Sequence, residues 1–172
     1  GCETTPGGAA MPGTLTVLDG AAAGPVAAWY AAPTTRYPHG ALGDEVEAGA
    51  LVAQLRHGSG CATARIDLPA TAVFEDTAPR LVDLDGDGRA EIVAVEASAT
   101  AGARLAVYGA TADGRALELR AATPPIGRRN RWLAPIAAAD LDGDGAVEIA
   151  YVDRPHLART VRVWRYAGGR LT

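Results

Sequence analysis

Asp83-Leu84-Asp85-Gly86-Asp87-Gly88-Arg89-Ala90-Glu91 and Asp140-Leu141-Asp142-Gly143-Asp144-Gly145-Ala146-Val147-Glu148 share the pattern DxDGDGxxE and lie 57 residues apart in a chain of 172. Each segment places four carboxylates within nine residues on a glycine-rich backbone. Carboxylates held this close repel one another unless a cation joins them. The motif therefore points to a hard cation, and its recurrence points to a repeat.

Calcium takes roughly six to eight oxygen ligands at about 2.3–2.6 Å from carboxylates, carbonyls and water. Acids at loop positions 1, 3 and 5 converge only if the chain curls tightly, and Gly86, Gly88, Gly143 and Gly145 permit the positive φ angles of such a curl. Position 7 is Arg89 or Ala146, whose side chains are unsuitable, so its contribution would be a carbonyl oxygen; Glu91 or Glu148 would close the shell. Magnesium fits less well, because it demands a strict octahedron with several retained waters. An EF-hand needs its bidentate Glu at position 12 and helices on either side. Here position 12 is Ala94 or Tyr151, and the following segments, Glu91–Glu96 and Glu148–Asp153, read as strands. Asp-Gly pairs also serve in solvated turns, but two copies in one context favour the metal.

All 16 basic residues are arginine, and the eight loop acids are part of a total of 20. Setting those eight aside leaves 12 acids against 16 arginines, so the net charge of −4 comes from the loops, and two Ca²⁺ would bring the whole to zero. The arginines are scattered, apart from Arg128-Arg129-Asn130-Arg131, which argues against nucleic acid as a partner. No apolar stretch is long enough to span a bilayer. Weak calcium modules suit millimolar calcium outside the cytosol, so the expected location is exported, periplasmic or extracellular. Three readings compete for Cys2: a disulfide with Cys61, a lipid anchor, or a free thiol in a loose tether.

Around each loop the sequence reads as four short strands. Pro79–Val82 precedes the first loop and Leu133–Ala137 the second; Arg104–Tyr108 and Thr160–Trp164 follow, then Asp113-Gly114 or Gly168-Gly169 turns into a last strand. Equivalent positions drift from 57 to 56 to 55 residues apart, a one-residue deletion in each connection. Thr14–Leu18, Val26–Ala31, Ala50–Leu55 and Thr63–Leu68 read as strands too, while Asp44 to Leu55 is ambiguous between strand and helix. The expected organisation is a tether over 1–13, degenerate blade material without a metal loop over 14–78, one repeat over 79–135 and a second, shortened one over 136–172.

The two nonapeptides and the strand after each resemble the FG-GAP repeat, also called the VCBS repeat, of integrin alpha-subunit-like β-propellers. The stretches around Arg36–Gly40 and Arg154–Arg159 resemble those of uncharacterised bacterial exported members. The resemblance implies an all-β fold of four-stranded antiparallel blades, with calcium held between the first two strands of a blade. Its two implied sites are Asp83, Asp85, Asp87, Arg89 (carbonyl) and Glu91, and Asp140, Asp142, Asp144, Ala146 (carbonyl) and Glu148. Such propellers usually have about seven blades; this sequence accounts for about three. That shortfall favours a missing C-terminal portion, with self-association through exposed edge strands as the alternative.

The function implied is that of a non-catalytic, exported module with structural calcium and a protein or glycan partner. The alternative is an exported hydrolase or lyase with its site on the propeller face. His39, His57 and His156 read as structural residues, His156 near Asp153 being the one candidate acid/base pair. A cavity holding His39 or His156 beside a carboxylate, away from the acidic loops, would favour the enzyme.

Overall fold

The computed structural model describes residues 2, 4, 6 and 10–172, and among these there is no helix. Three antiparallel meanders follow one another. The first is β1 (Thr16–Val17), β2 (Gly24–Thr34), β3 (Glu47–His57) and β4 (Gly60–Asp67). In the second, β5 (Ala72–Phe74) and β6 (Arg80–Val82) both pair with β7 (Glu91–Ser98), which is followed by β8 (Gly102–Ala110) and β9 (Leu117–Ala122). The third is β10 (Leu133–Ala139), β11 (Glu148–Asp153), β12 (Thr160–Ala167) and β13 (Arg170–Leu171). The fold is the expected all-β arrangement of four-stranded antiparallel units, three in number, as in part of a propeller. A single pair, Ala48 with Phe74, joins the ladders of the first two.

Alternation along the strands explains how the meanders stack. Successive side chains of a strand point to opposite faces. On β7 and β8, Ile92, Ala94, Ala106 and Tyr108 pack with Tyr30, Leu51, Leu55 and Phe74 of the preceding strands. The residues between them, Val93, Val95, Leu105 and Val107, pack with Leu133, Ile149, Tyr151 and Tyr166 of the third meander. The second meander is thus covered on both faces. Trp132, Trp164 and Tyr166 join this packing, as their sequence positions suggest. On the far side of the third meander, Ile136, Val161 and Val163 are exposed.

Burial on both faces also accounts for the ambiguous segment. Residues 47–53 of β3 are buried without interruption, so the sequence there has neither a two-residue nor a helical period. It is a strand, preceded by a turn over 41–46. Ala72–Phe74 was not legible as a strand because it is only three residues long and apolar throughout. It also moves the start of the second meander to Ala72 rather than 79, and β10 runs across the 135/136 division.

The expected tether falls in large part on residues outside those described. Of the three readings for Cys2, the structure carries the disulfide to Cys61, with the Cα atoms 5.5 Å apart. The Met11 amide donates to the Tyr30 carbonyl at 2.8 Å, so this end of the chain lies along β2.

Where β5 gives way to β6, the chain leaves the ladder and Asp76 takes its place. Asp76 Oδ2 accepts from the Val95 amide at 3.1 Å, from Tyr30 Oη at 2.8 Å and from Arg80 Nη1 at 2.8 Å. Two further carboxyls are buried beside it, and one oxygen of each, Glu47 Oε1 and Glu75 Oε2, has no hydrogen-bond partner. Burial pushes Glu75 up to about 7. Burial, then the nearby Glu75, Asp44 and Asp76, pushes Glu47 up to about 8.

Two outcomes are expected. The disulfide closes a loop of 59 residues in sequence separation, so Cys61→Ala should cost roughly 2–4 kcal/mol of stability, read from denaturant unfolding. Because Glu47 and Glu75 hold protons more tightly when folded than the ordinary carboxyl does, their contribution is fully present below about pH 4.5 and is lost as pH rises through 7 to 8. Glu47→Gln should therefore match the parent near pH 4.5 and exceed its stability by roughly 2 kcal/mol near pH 8.5. Parallel pH profiles for the two proteins would contradict this.

Candidate metal centre

Both acidic loops connect the first two strands of a meander. Asp83 directly follows β6 and Glu91 opens β7; Asp140 directly follows β10 and Glu148 opens β11. The loops are closed by matching hydrogen bonds. Asp83 accepts from the Gly86 amide at 2.8 Å and the Gly88 amide at 2.9 Å, and Asp140 accepts from Gly143 at 2.7 Å and Gly145 at 2.9 Å. Asp85 and Asp142 accept from the amides of Asp87 and Asp144, each at 3.2 Å. Glu91 and Glu148 reach back to the amides of Leu84 and Leu141, each at 2.9 Å. The curl depends on left-handed backbone at Gly86 and Gly88 (φ 76° and 84°) and at Gly143 and Gly145 (φ 83° and 91°), where a side chain would be strained.

This geometry suits a hard cation. Two oxygens bound to one Ca²⁺ at about 2.4 Å can be at most about 4.8 Å apart. One oxygen each from Asp83, Asp85 and Glu91 meets that limit, as does one each from Asp140, Asp142 and Glu148. The structure thus brings together three of the four acids in each loop. The remaining acids turn aside: Asp87 Oδ2 accepts from Arg89 Nε at 3.2 Å, and Asp144 Oδ2 from Arg165 Nη1 at 2.7 Å. For Arg89 and Ala146 the structure shows their amides donating to Asp87 and Asp144 at 2.8 and 2.9 Å. Their carbonyls are assigned to an ion by the family resemblance alone.

The two loops differ in what surrounds them. At the first, burial pushes the Glu91 carboxyl up to about 7; the Leu84 amide works against that shift, while Asp85, Asp87 and Asp83 add to it. Tyr166 of the third meander and Arg120 of β9 flank this loop, lining a small cavity of about 60 Å³ with Asp85, Asp87 and Glu91. At the second, a guanidinium enters the acidic cluster. Arg165 Nε donates to Glu148 Oε1 at 2.7 Å, and Nη2 donates to Asp142 Oδ2 at 3.1 Å and also contacts Glu148 Oε1. Hydrogen bonds from the Ala146 amide and then Arg165 hold the Asp144 carboxyl below the usual range, while Glu148 and then Asp144 raise the Arg165 guanidinium above its own.

Reading the loops alone missed Arg165 because it lies 17 residues after Glu148. The signal was in the strand register: Arg165 stands opposite Glu148 in the β11–β12 ladder. At the 56-residue offset the first repeat has Gly109. A Cβ there would come within 2.7 Å of Arg120 Nε, so Arg120 crosses over the glycine.

The histidines sort differently. Asp153 accepts from Arg154 Nε at 2.7 Å and from Arg162 Nε at 3.0 Å, which replaces the expected pairing with His156. His156 and His39 instead line one cavity of about 260 Å³ with Arg131, Trp132 and Leu157, away from both acidic loops. His39 Nδ1 contacts the fully buried Glu75 carboxyl, and burial followed by the Arg131 charge lowers its pKa. In the one basic cluster, the Arg129 guanidinium lies 5.8 Å from the centre of the Tyr37 ring, and the Asn130 amide donates to Tyr37 Oη at 2.8 Å.

Residues 83–151 match the family described as FG-GAP-like repeat. No curated protein matches the chain. The matched stretch begins on the first aspartate of the first loop and ends within β11, so it contains both loops and the meander strands between them. Over residues 83–151, then, this chain carries an FG-GAP-like repeat.

Proposed function

We propose that this chain is an exported, non-catalytic interaction module built from propeller blades, in which calcium bound at the two acidic loops is structural. One observation carries the reading: two loops, far apart in sequence, converge three carboxylates each through the same set of backbone hydrogen bonds. Asp83, Asp85 and Glu91 would hold one ion, Asp140, Asp142 and Glu148 the other, with Asp87, Asp144 and the carbonyls of Arg89 and Ala146 completing the shells. The ion supplies positive charge that lets the carboxylates sit side by side. The Cys2–Cys61 disulfide supports an oxidising compartment outside the cytosol. No helix among the described residues is long and apolar enough to cross a membrane. A protein or glycan is the partner class this reading implies.

Calcium at about one hundred times its Kd should stabilise the fold by about 2.7 kcal/mol per site, which in a domain of this size raises Tm by roughly 5–10 °C. Chelation should reverse that gain, and the double substitution Asp85→Ala with Asp142→Ala should abolish the response. A melting curve indifferent to chelator would sink the calcium reading.

A second reading is favoured by one observation, the cavity shared by His39 and His156 with Glu75 against His39. A lowered pKa keeps an imidazole neutral near pH 7, as a general base requires. On this reading the module is an exported hydrolase or lyase. Screening chromogenic esters and glycosides should then reveal turnover that His39→Gln reduces by about a hundredfold or more. Turnover equal in the two proteins would remove the reading.

A further inference from the structure

Third-strand residues that occupy equivalent positions of the two repeats are opposites in chemistry. Arg165 stands directly across from Glu148 and touches three of the four loop acids, Asp142, Asp144 and Glu148. Its counterpart Gly109 offers no side chain, and Arg120, which crosses that glycine, donates through Nη2 to the Ala110 carbonyl and pairs through Nε with Glu118. The first loop's own arginine, Arg89, lies on Asp87 alone and outside the converging trio. A guanidinium bonded to several carboxylates does for them what a metal ion does: it delivers positive charge and satisfies lone pairs, through hydrogen bonds of the stronger, charge-assisted kind. A cation entering the second loop must first displace it; one entering the first loop displaces nothing comparable.

We propose that Arg165 is the built-in counter-cation of the second loop, so that the two loops bind calcium unequally: the first takes the ion directly, and the second binds it only in exchange for the guanidinium. This rests on the calcium reading above. It makes the third meander self-neutralised when calcium is scarce, whereas the second meander relies on the ion. Arg165 acts here as a residue that sets affinity and contributes no ligand of its own.

The test is calorimetric titration of the full chain with calcium chloride, alongside thermal melting with and without chelator. The parent protein should show one tight site, lost in Asp85→Asn, and a second at least about tenfold weaker, lost in Asp142→Asn. In the Asp85→Asn background, Arg165→Met should tighten the remaining site by about tenfold or more. Arg165→Lys, which keeps the charge without the planar fork, should fall between. In chelator, Arg165→Met should melt below the parent, and calcium should close that gap. If Arg165→Met does not fold without calcium, the lysine variant supplies the comparison. Equal affinities at the two loops in the parent, or a second site no tighter in Arg165→Met than in its parent, would overturn the assignment of Arg165 while leaving the calcium reading intact. Absence of calcium binding in every variant would overturn both.

Discussion

Everything in this molecule is arranged around one constraint: the second meander has no solvent face. Its two central strands give alternate side chains to two different cores, one shared with the meander before it and one with the meander after. Such a sheet cannot tolerate bulky residues on both sides, and the sequence answers with small ones. Ala94, Ala97, Ala103 and Ala106 lie in β7 and β8 with no exposed surface at all. Aromatic mass is placed sparingly, where meanders meet: Tyr30 stacks on Phe74 at 5.2 Å between ring centres, and Phe74 meets Tyr108 edge-on at 6.2 Å. An alanine-rich, aromatic-poor composition is therefore what close stacking of sheets requires.

The same stacking positions the metal candidates. Each acidic loop grows from the end of a strand whose register is fixed by a packed face, so its first aspartate and its closing glutamate are held by the sheet. Glycine backbone conformation and hydrogen bonding then curl what lies between. Burial is what turns acidic turns into demanding sites, since Glu91 and Glu148 are both withdrawn from water at the root of a strand. A carboxylate placed there needs a cation, and the two loops meet that need in different surroundings.

How much of this was legible in the sequence depended on whether the signal was local. The loops and the strands that follow them were readable because the acids and glycines that define each loop fall within nine residues. The strands with polar or turn residues at their ends were readable for the same reason. What escaped was non-local. β3 carries no periodicity because both its faces are covered, and Ala72–Phe74 is a strand only by virtue of β7. Arg165 belongs to the second loop through a ladder pairing, and His39 acquires Glu75 as a partner across 36 residues of sequence. Disulfide pairing between Cys2 and Cys61 was one choice among three until the fold brought the two Cα atoms within 5.5 Å.

The alternation of β7 and β8 between two cores has an evolutionary corollary. Moving a strand by one residue exchanges its faces, which here would send every residue meant for one neighbour into the other. Insertions and deletions are consequently excluded from these strands and confined to the connections. The repeats record that rule: their offset slips from 57 at the loops to 56 and then 55, one residue at each turn, while the strands themselves stay in step. Length variation in a stack of this kind accumulates at its rim and leaves the phase of its sheets untouched.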